Sequence, residues 1–247
     1  LAIVSEAMAE DAYMGISGKL YTITLEDVRE KLSGGYRLVG NVTIESGNTV
    51  SLADGVSITQ KGNDITVYGT LNAEYETVAE AFVSNSSNAN INVQDGGVVH
   101  LKNASVNLSG SYSQLIVSSG GTYNMTGGSL YVAYYGISVS SGGAMGLNGV
   151  EVKSHIDNSG TLELVNSTHT SYVNNKGTMT AEGTTFTSYV ISTGTLTITD
   201  NTFESYLQIN GTENITASGN VFTGAETVRL TDYSGTIADA LAIFSEA

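Results

Sequence analysis

Apolar and polar residues alternate along most of the chain, in short runs separated by Gly, Asn, Asp and Ser. A clear case is the run in which Leu196 and Ile198 alternate with Thr195 and Thr197. This period of two places one face of a β-strand in a core and the other face in water. Many such runs between turn-forming residues predict an all-β protein built from short strands.

A 17-residue repeat organises the C-terminal half of the chain. The aligned columns are Gly143, Gly160, Gly177, Gly194 and Gly211; Ser154, Ser171, Ser188 and Ser205; His155, Tyr172, Tyr189 and Tyr206; Ile156, Val173, Val190 and Leu207; Val152, His169, Phe186 and Phe203; and Met145, Leu162, Met179 and Leu196. A unit this short is not a helical hairpin but fits one coil of a β-solenoid, whose coils stack about 4.8 Å apart. We therefore predict ladders of equivalent residues, including stacked aromatic rings, with the repeated glycine turning each corner at positive φ.

The pattern continues upstream with looser spacing. "LIVSSGG" at Leu115–Gly121 recurs as "ISVSSGG" at Ile137–Gly143, a step of 22 residues. We predict a single-stranded parallel β-helix of about nine or ten coils over residues 38–232, with the stretch Gly69–Gly97 leaving it as a loop.

The two ends differ from this repeat. Thr24–Leu32, "TLEDVREKL", has a Thr N-cap and an acidic first turn, which predicts a short helix. The predicted organisation is an N-terminal segment and helical cap at residues 1–37, the parallel β-helix at 38–232, and a C-terminal helical or junction segment at 233–247. Because the chain begins with Leu1, we expect a processed product or a fragment.

The terminal heptads "LAIVSEA" and "LAIFSEA" match at six of seven positions. One interpretation is a junction at which copies of the chain join head to tail, which would propagate into rings or filaments. The alternative is a pair of similar capping helices. The predicted self-association residues are Leu1, Ile3, Val4, Leu241, Ile243 and Phe244.

The segments "TITDNTF" at Thr197–Phe203 and "TASGNVF" at Thr216–Phe222 resemble the Asn-then-Phe repeat of right-handed parallel β-helix, pectin-lyase-like proteins. That group includes polysaccharide-active enzymes, autotransporter passengers, adhesins, and surface sheath or S-layer proteins. The resemblance covers residues 40–230 and implies the right-handed sense, but it specifies no activity.

The composition narrows the choice of function. A formal net charge of −15, from nine basic and 24 acidic side chains, would repel nucleic acid. No stretch approaches the ~18–20 apolar residues of a membrane span. The absence of Cys excludes disulfides and thiolate metal sites.

Candidate catalytic residues do not align across coils. Glu163 shares its column with Thr180 and Thr197, so acidic side chains do not stack in the 17-residue frame. Of the histidines, His155 and His169 occupy aromatic columns and His100 alternates as an outward strand residue. We therefore predict no catalytic, cofactor-binding or metal-binding residue and no enzymatic activity. The alternative, a polysaccharide-active enzyme, would use the carboxylates of the 69–97 stretch, such as Glu74 and Glu76.

Eight Asn-x-Ser/Thr sequons are candidates for N-glycosylation, although turn chemistry explains asparagine in these places equally well. They are Asn41, Asn85, Asn103, Asn107, Asn124, Asn166, Asn210 and Asn214.

The predicted function is a structural, extracellular cell-surface protein that assembles with copies of itself into a coat, sheath or fibre. The alternative is an adhesin or autotransporter-type passenger stalk that binds a glycan or a host surface. An exposed patch around Tyr131, Tyr134 and Tyr135 would serve that second function, unless those tyrosines fill the core.

Overall fold

The computed structural model describes residues 16–18, 34–225, 227–236, 239 and 242–244. Its strands are β1 (Ile16–Ser17), β2 (Gly35–Arg37), β3 (Val42–Ile44), β4 (Thr49–Leu52), β5 (Ser57–Thr59), β6 (Ile65–Val67), β7 (Thr70–Ser84), β8 (Asn90–Val93), β9 (Val98–Val117), β10 (Thr122–Thr126), β11 (Ser129–Val139), β12 (Ala144–Asn148), β13 (Glu151–Val152), β14 (Ile156–Asn158), β15 (Thr161–Val165), β16 (Thr168–His169), β17 (Val173–Asn175), β18 (Thr178–Glu182), β19 (Thr185–Phe186), β20 (Val190–Ser192), β21 (Thr195–Thr199), β22 (Thr202–Phe203), β23 (Leu207–Asn210), β24 (Ile215–Ser218), β25 (Val221–Phe222) and β26 (Val228–Thr231). Residues 242–244 are helical.

These strands form a parallel β-solenoid of about nine turns, which confirms the predicted fold class. Each coil contributes to three faces, and each strand pairs in parallel with its equivalent in the next coil. On the first face β12, β15, β18 and β21 pair in succession. The second face contains β13, β16, β19 and β22, and the third contains β14, β17, β20 and β23. The strand β1 pairs antiparallel with β4 at the N-terminal edge of the first face.

Alternation decides which side chains fill the interior. In β18 the side chains of Met179 and Ala181 are fully buried, whereas Thr178, Thr180 and Glu182 are exposed. On the second face Phe186, Phe203 and Phe222 stack with centroids 5.0 Å apart at each step. The predicted ladders of equivalent residues are therefore present, because parallel pairing in register gives every coil the same environment.

The corner between the first and second faces requires positive φ. The residues that occupy it are Asn103, Gly127, Gly149, Asn166, Gly183, Asp200 and Gly219, with φ between 46° and 68°. Gly, Asn and Asp are the residues that adopt this conformation at least cost, because their side chains are absent or bond locally. The mixed column in the sequence is thus explained by backbone geometry.

The repeated glycines Gly160, Gly177 and Gly194 do not have positive φ, so the prediction made for them was wrong. They are required by close approach instead. A Cβ on Gly177 would lie 2.2 Å from the carbonyl oxygen of Gly160, and one on Gly194 would lie 2.1 Å from that of Gly177. Gly211 breaks the column, since β24 pairs with β21 through Ile215 and Leu196, a step longer than 17 residues.

Gly177→Ala should therefore lower the free energy of unfolding by about 1–3 kcal/mol, because the added methyl group meets backbone atoms that must shift. Chemical denaturation of the purified chain measures the effect. Ser159→Ala, an exposed position beside the same turn, is the control and should change stability by less than about 0.5 kcal/mol. Equal stability of Gly177→Ala and the wild type would contradict the close approach.

Buried polar side chains also stack. The Asn158 amide donates to Asn175 Oδ1 at 2.8 Å, and the Asn175 amide donates to Ser192 Oγ at 2.9 Å. At the next corner the Asn201 amide donates to Asn220 Oδ1 at 3.0 Å. Each buried amide is thus satisfied by the neighbouring coil, which makes the internal asparagines tolerable.

Two other predictions concern regions outside the regular repeat. The stretch Gly69–Gly97 does not leave the solenoid: β7 runs through it and pairs with both β4 and β9, with a local bulge at residues 75–78. The loop was predicted because three extra residues disturb the period, but a β-bulge absorbs them. The predicted helix Thr24–Leu32 lies outside the described residues.

Candidate functional site

The corner between the second and third faces varies in length among coils. Three residues separate Val152 from Ile156, whereas six separate their partners Leu130 and Ile137 in the preceding coil. The coil before that is longer again at this corner. The additional residues project from the solenoid and carry tyrosines.

Two of these tyrosines have an unusual backbone conformation. Tyr112 has φ 61° and Tyr134 has φ 68°. A bulky residue at positive φ is strained at a cost of order 1–3 kcal/mol, and such residues concentrate at functional sites. Glycine or asparagine, which occupy the other positive-φ corner, would avoid this cost.

The rings of Tyr112, Tyr134 and Tyr135 form what we call the tyrosine cluster. The ring centroids lie 4.8 Å apart for Tyr112 and Tyr134, 5.4 Å for Tyr112 and Tyr135, and 5.1 Å for Tyr134 and Tyr135. The rings are 45%, 67% and 47% exposed, respectively. Their planes are inclined to one another by 45–80°, so ring faces as well as edges reach the solvent.

An aromatic ladder adjoins the tyrosine cluster along the same corner. The ring of His155 covers Gly136, the residue after Tyr135, and stacks on Tyr172 at 4.8 Å. The ladder continues through Tyr189 and Tyr206, with centroids 5.2 and 5.1 Å apart and planes within 6° of parallel.

The ladder and the cluster are suited to different roles. In the ladder the inner faces of successive rings are covered by their neighbours, and the guanidinium of Arg229 lies 3.7 Å over the ring of Tyr206. Burial, with smaller contributions from Asp157 and Tyr189, raises the pKa of Tyr172. The ladder therefore stabilises the rod, whereas the cluster presents aromatic surface to a partner.

The structure changes the membership of the predicted tyrosine patch. Tyr134 and Tyr135 are exposed as the patch required, whereas Tyr131 is half-buried and has no aromatic contact with them among the described residues. Tyr112 was not included in the prediction. The 22-residue step between "LIVSSGG" and "ISVSSGG" does place Tyr112 at the position of Tyr134, and that step could have identified it.

The carboxylates and histidines are spread over the solenoid. Glu163 lies between Gly146 and Thr180 in its ladder. Glu74, in the stretch proposed for an enzyme, pairs with His100 at 3.3 Å. Four coils separate Glu74 from Glu163, about 19 Å at 4.8 Å per coil, against roughly 5–9.5 Å for paired glycosidase carboxylates. Among the described residues, no three His, Cys, Asp or Glu side chains converge as metal ligands. The lack of enzymatic activity stays a prediction.

His169 is the buried member of the phenylalanine ladder, as its column predicted. Its ring lies 6.2 Å from that of Phe186, and its Nδ1 is 2.7 Å from the carbonyl oxygen of Ser171. Since a carbonyl accepts, Nδ1 carries the proton and donates. Nε2 is buried without a hydrogen-bond partner. Burial lowers the pKa of His169 to about 4.

None of the eight sequon asparagines is buried. Six are exposed: Asn41, Asn85, Asn124, Asn166, Asn210 and Asn214. The other two are partly buried, and their amides are used within the protein: Asn103 donates to the Tyr75 carbonyl at 3.1 Å and Asn107 to Glu80 at 3.0 Å. Glycosylation stays a prediction, and the exposed six are its better candidates.

Of the predicted self-association residues, Ile243 and Phe244 are described and the others lie outside the described residues. The ring of Phe244 packs edge-on against Phe222, at 6.0 Å, where the phenylalanine ladder ends. Phe244 thus covers the last coil of its own chain. Self-association stays a prediction, and this contact favours the capping interpretation of the second heptad.

No helix within the described ranges is both long and apolar enough to span a bilayer.

No protein-family model matches the sequence, and no significantly similar curated protein is found. Among solved structures, the crystal structure of a TibC-catalyzed hyper-glycosylated TibA fragment aligns with 85% of this chain and 95% of that chain, at 20% sequence identity. The TM-score is 0.24, which is too low to show a shared fold. The parallel β-solenoid is therefore established by the strand pairing of this chain, and its pectin-lyase-like type and right-handed sense stay predictions.

Proposed function

We propose that this protein is a non-enzymatic cell-surface protein that acts as an adhesin-type binding rod. The solenoid holds the tyrosine cluster on a rigid scaffold, and the cluster binds a glycan or another ligand on a host or neighbouring surface. This is the alternative function considered for the sequence. It is favoured over self-assembly because the structure offers an exposed candidate site for it.

The observation that carries the proposal is the strained and exposed geometry of the tyrosine cluster. Tyrosine combines a large apolar ring with a polar tip and has little side-chain freedom to lose on binding, which explains its enrichment in recognition sites. Two residues at positive φ lower the stability of the fold without filling its core. A binding function accounts for that cost.

The charge of the protein restricts its ligands. At a formal net charge of −15, long-range electrostatics disfavours polyanions such as acidic glycosaminoglycans, nucleic acid or anionic membranes. A neutral glycan or a basic protein surface is compatible with the tyrosine cluster.

Replacing the strained tyrosines by asparagine separates binding from folding. Tyr112→Asn and Tyr134→Asn remove the ring but keep a side chain suited to positive φ, so the double variant should unfold at the same temperature or a higher one. Adhesion of cells or beads that display the protein should fall about tenfold or more, which corresponds to the loss of one strong contact.

Tyr68→Gln is the matched control, because Tyr68 is 42% exposed but lies outside the cluster. This variant should adhere like the wild type. Unchanged adhesion of the Tyr112/Tyr134 double variant would refute the proposal. Light scattering of the same samples tests the self-assembly function, which requires large particles in place of monomers.

A further inference from the structure

An outward-facing ladder on the first face lacks one side chain. In register, the ladder runs through His100, Asn124, Gly146, Glu163 and Thr180. Gly146 is the single glycine among these five, so the ladder has a gap between the side chains of Asn124 and Glu163.

The gap opens a groove of about 240 Å³. The residues that line it are His100, Asn124, Met125, Thr126, Gly146, Leu147, Asn148, Glu163 and Val165. Met125 and Leu147 point into the core and are almost fully buried, so the backbone between the polar side chains forms the floor.

The fold itself does not require glycine at position 146. Gly146 does not have positive φ, and a Cβ there would meet only Asn124 Oδ1, at 2.9 Å, the tip of a flexible side chain. Thr180 and Thr197 occupy the same ladder in later coils. Glycine within a strand weakens it and is typical of places where a ligand comes close to the backbone.

The walls of the groove offer hydrogen-bonding groups that the described part of the chain does not use. The side chains of Asn124, Asn148 and Glu163 make no hydrogen bond to other described residues, whereas His100 is paired with Glu74 at 3.3 Å. Two amides supply donors and acceptors and the carboxylate supplies acceptors, which match the hydroxyl groups of a sugar.

We propose that this groove binds one neutral sugar ring of a glycan. Its volume lies below the ~300–1,000 Å³ of sites for drug-sized ligands, so a single ring fits better than an oligosaccharide. The Glu163 carboxylate and the negative charge of the protein disfavour acidic sugars. The inference is independent of the proposed function, because the groove lies on the first face and the tyrosine cluster at a corner between the other two.

Filling the gap tests the proposal. Gly146→Thr places in the groove the residue that follows in the same ladder, and Glu163→Gln removes the charge at nearly constant shape. The probes are glucose, galactose, mannose and N-acetylglucosamine, applied to unglycosylated protein so that a glycan on Asn124 does not occupy the groove. Saturation-transfer nuclear magnetic resonance detects the millimolar binding expected of a single ring.

At least one of the four sugars should bind the wild type, and its affinity should fall tenfold or more in Gly146→Thr. Thr197→Ala, two coils along the ladder from Glu163, is the control and should bind like the wild type. The melting temperature of Gly146→Thr should equal or exceed that of the wild type, because threonine favours the strand. Absence of binding by all four sugars, or equal binding by Gly146→Thr, would overturn the proposal. Loss of sugar binding only in the Tyr112/Tyr134 double variant would assign the sugar to the cluster and also overturn it.

Discussion

Phe186→Ala should lower the free energy of unfolding by about 3–5 kcal/mol, the range for removing a fully buried aromatic side chain. Phe186 has no exposed surface and lies between the ring of His169 and that of Phe203, which stacks on it at 5.0 Å. Its loss leaves a cavity that the neighbouring coils cannot close, because their backbones are held about 4.8 Å apart by parallel hydrogen bonds. Urea denaturation followed by far-ultraviolet circular dichroism measures the effect.

Ser188→Ala is the matched control in the same coil. Ser188 is partly exposed and makes no side-chain hydrogen bond with other described residues, so its loss should cost less than about 0.5 kcal/mol. Similar small effects of both substitutions would contradict the register in which Phe186 faces the core.

The stability of the protein should fall between about pH 6.5 and pH 4 because of His169. Burial holds the pKa of this imidazole at about 4 in the folded chain, whereas the unfolded chain binds the proton near the ordinary value of 6.5. The contribution is therefore fully present above pH 6.5. It is lost as the pH falls to 4, because only the unfolded state gains the proton over that window. A shift of this size corresponds to about 3 kcal/mol.

His169→Phe isolates this effect from the titration of the many carboxylates. Phenylalanine continues the ladder of Phe186 and Phe203, although the Ser171 carbonyl then loses its hydrogen-bond donor. The stability difference between the variant and the wild type should therefore be small at pH 7 and should grow by about 3 kcal/mol in favour of the variant at pH 4. Denaturation at several pH values measures it.

Phe203→Leu provides the control for a change in core packing alone. It should lower stability by a similar amount at every pH relative to the wild type, since it introduces no titrating group. Parallel pH profiles for the wild type and His169→Phe would show that His169 takes its proton equally well in both states, contrary to its burial.

The sequence determined the solenoid, its ladders and the burial of His169. Each follows from the period of 17 residues, because coils that pair in register place residues 17 apart in the same environment. An aromatic column such as Tyr172, Tyr189 and Tyr206 then stacks, and a histidine in a phenylalanine column enters the core.

The tertiary structure decided what depends on distances between coils or on coils of irregular length. It showed that Gly177 is needed for a backbone contact rather than for positive φ, a distinction that composition cannot make. It showed that a bulge keeps the 69–97 stretch in the sheet. It also brought Tyr112 to Tyr134 and opened the groove at Gly146, because both sites join residues from different coils whose spacing departs from 17. Where insertions interrupt the period, side-chain positions follow from packing and no longer from the count of residues.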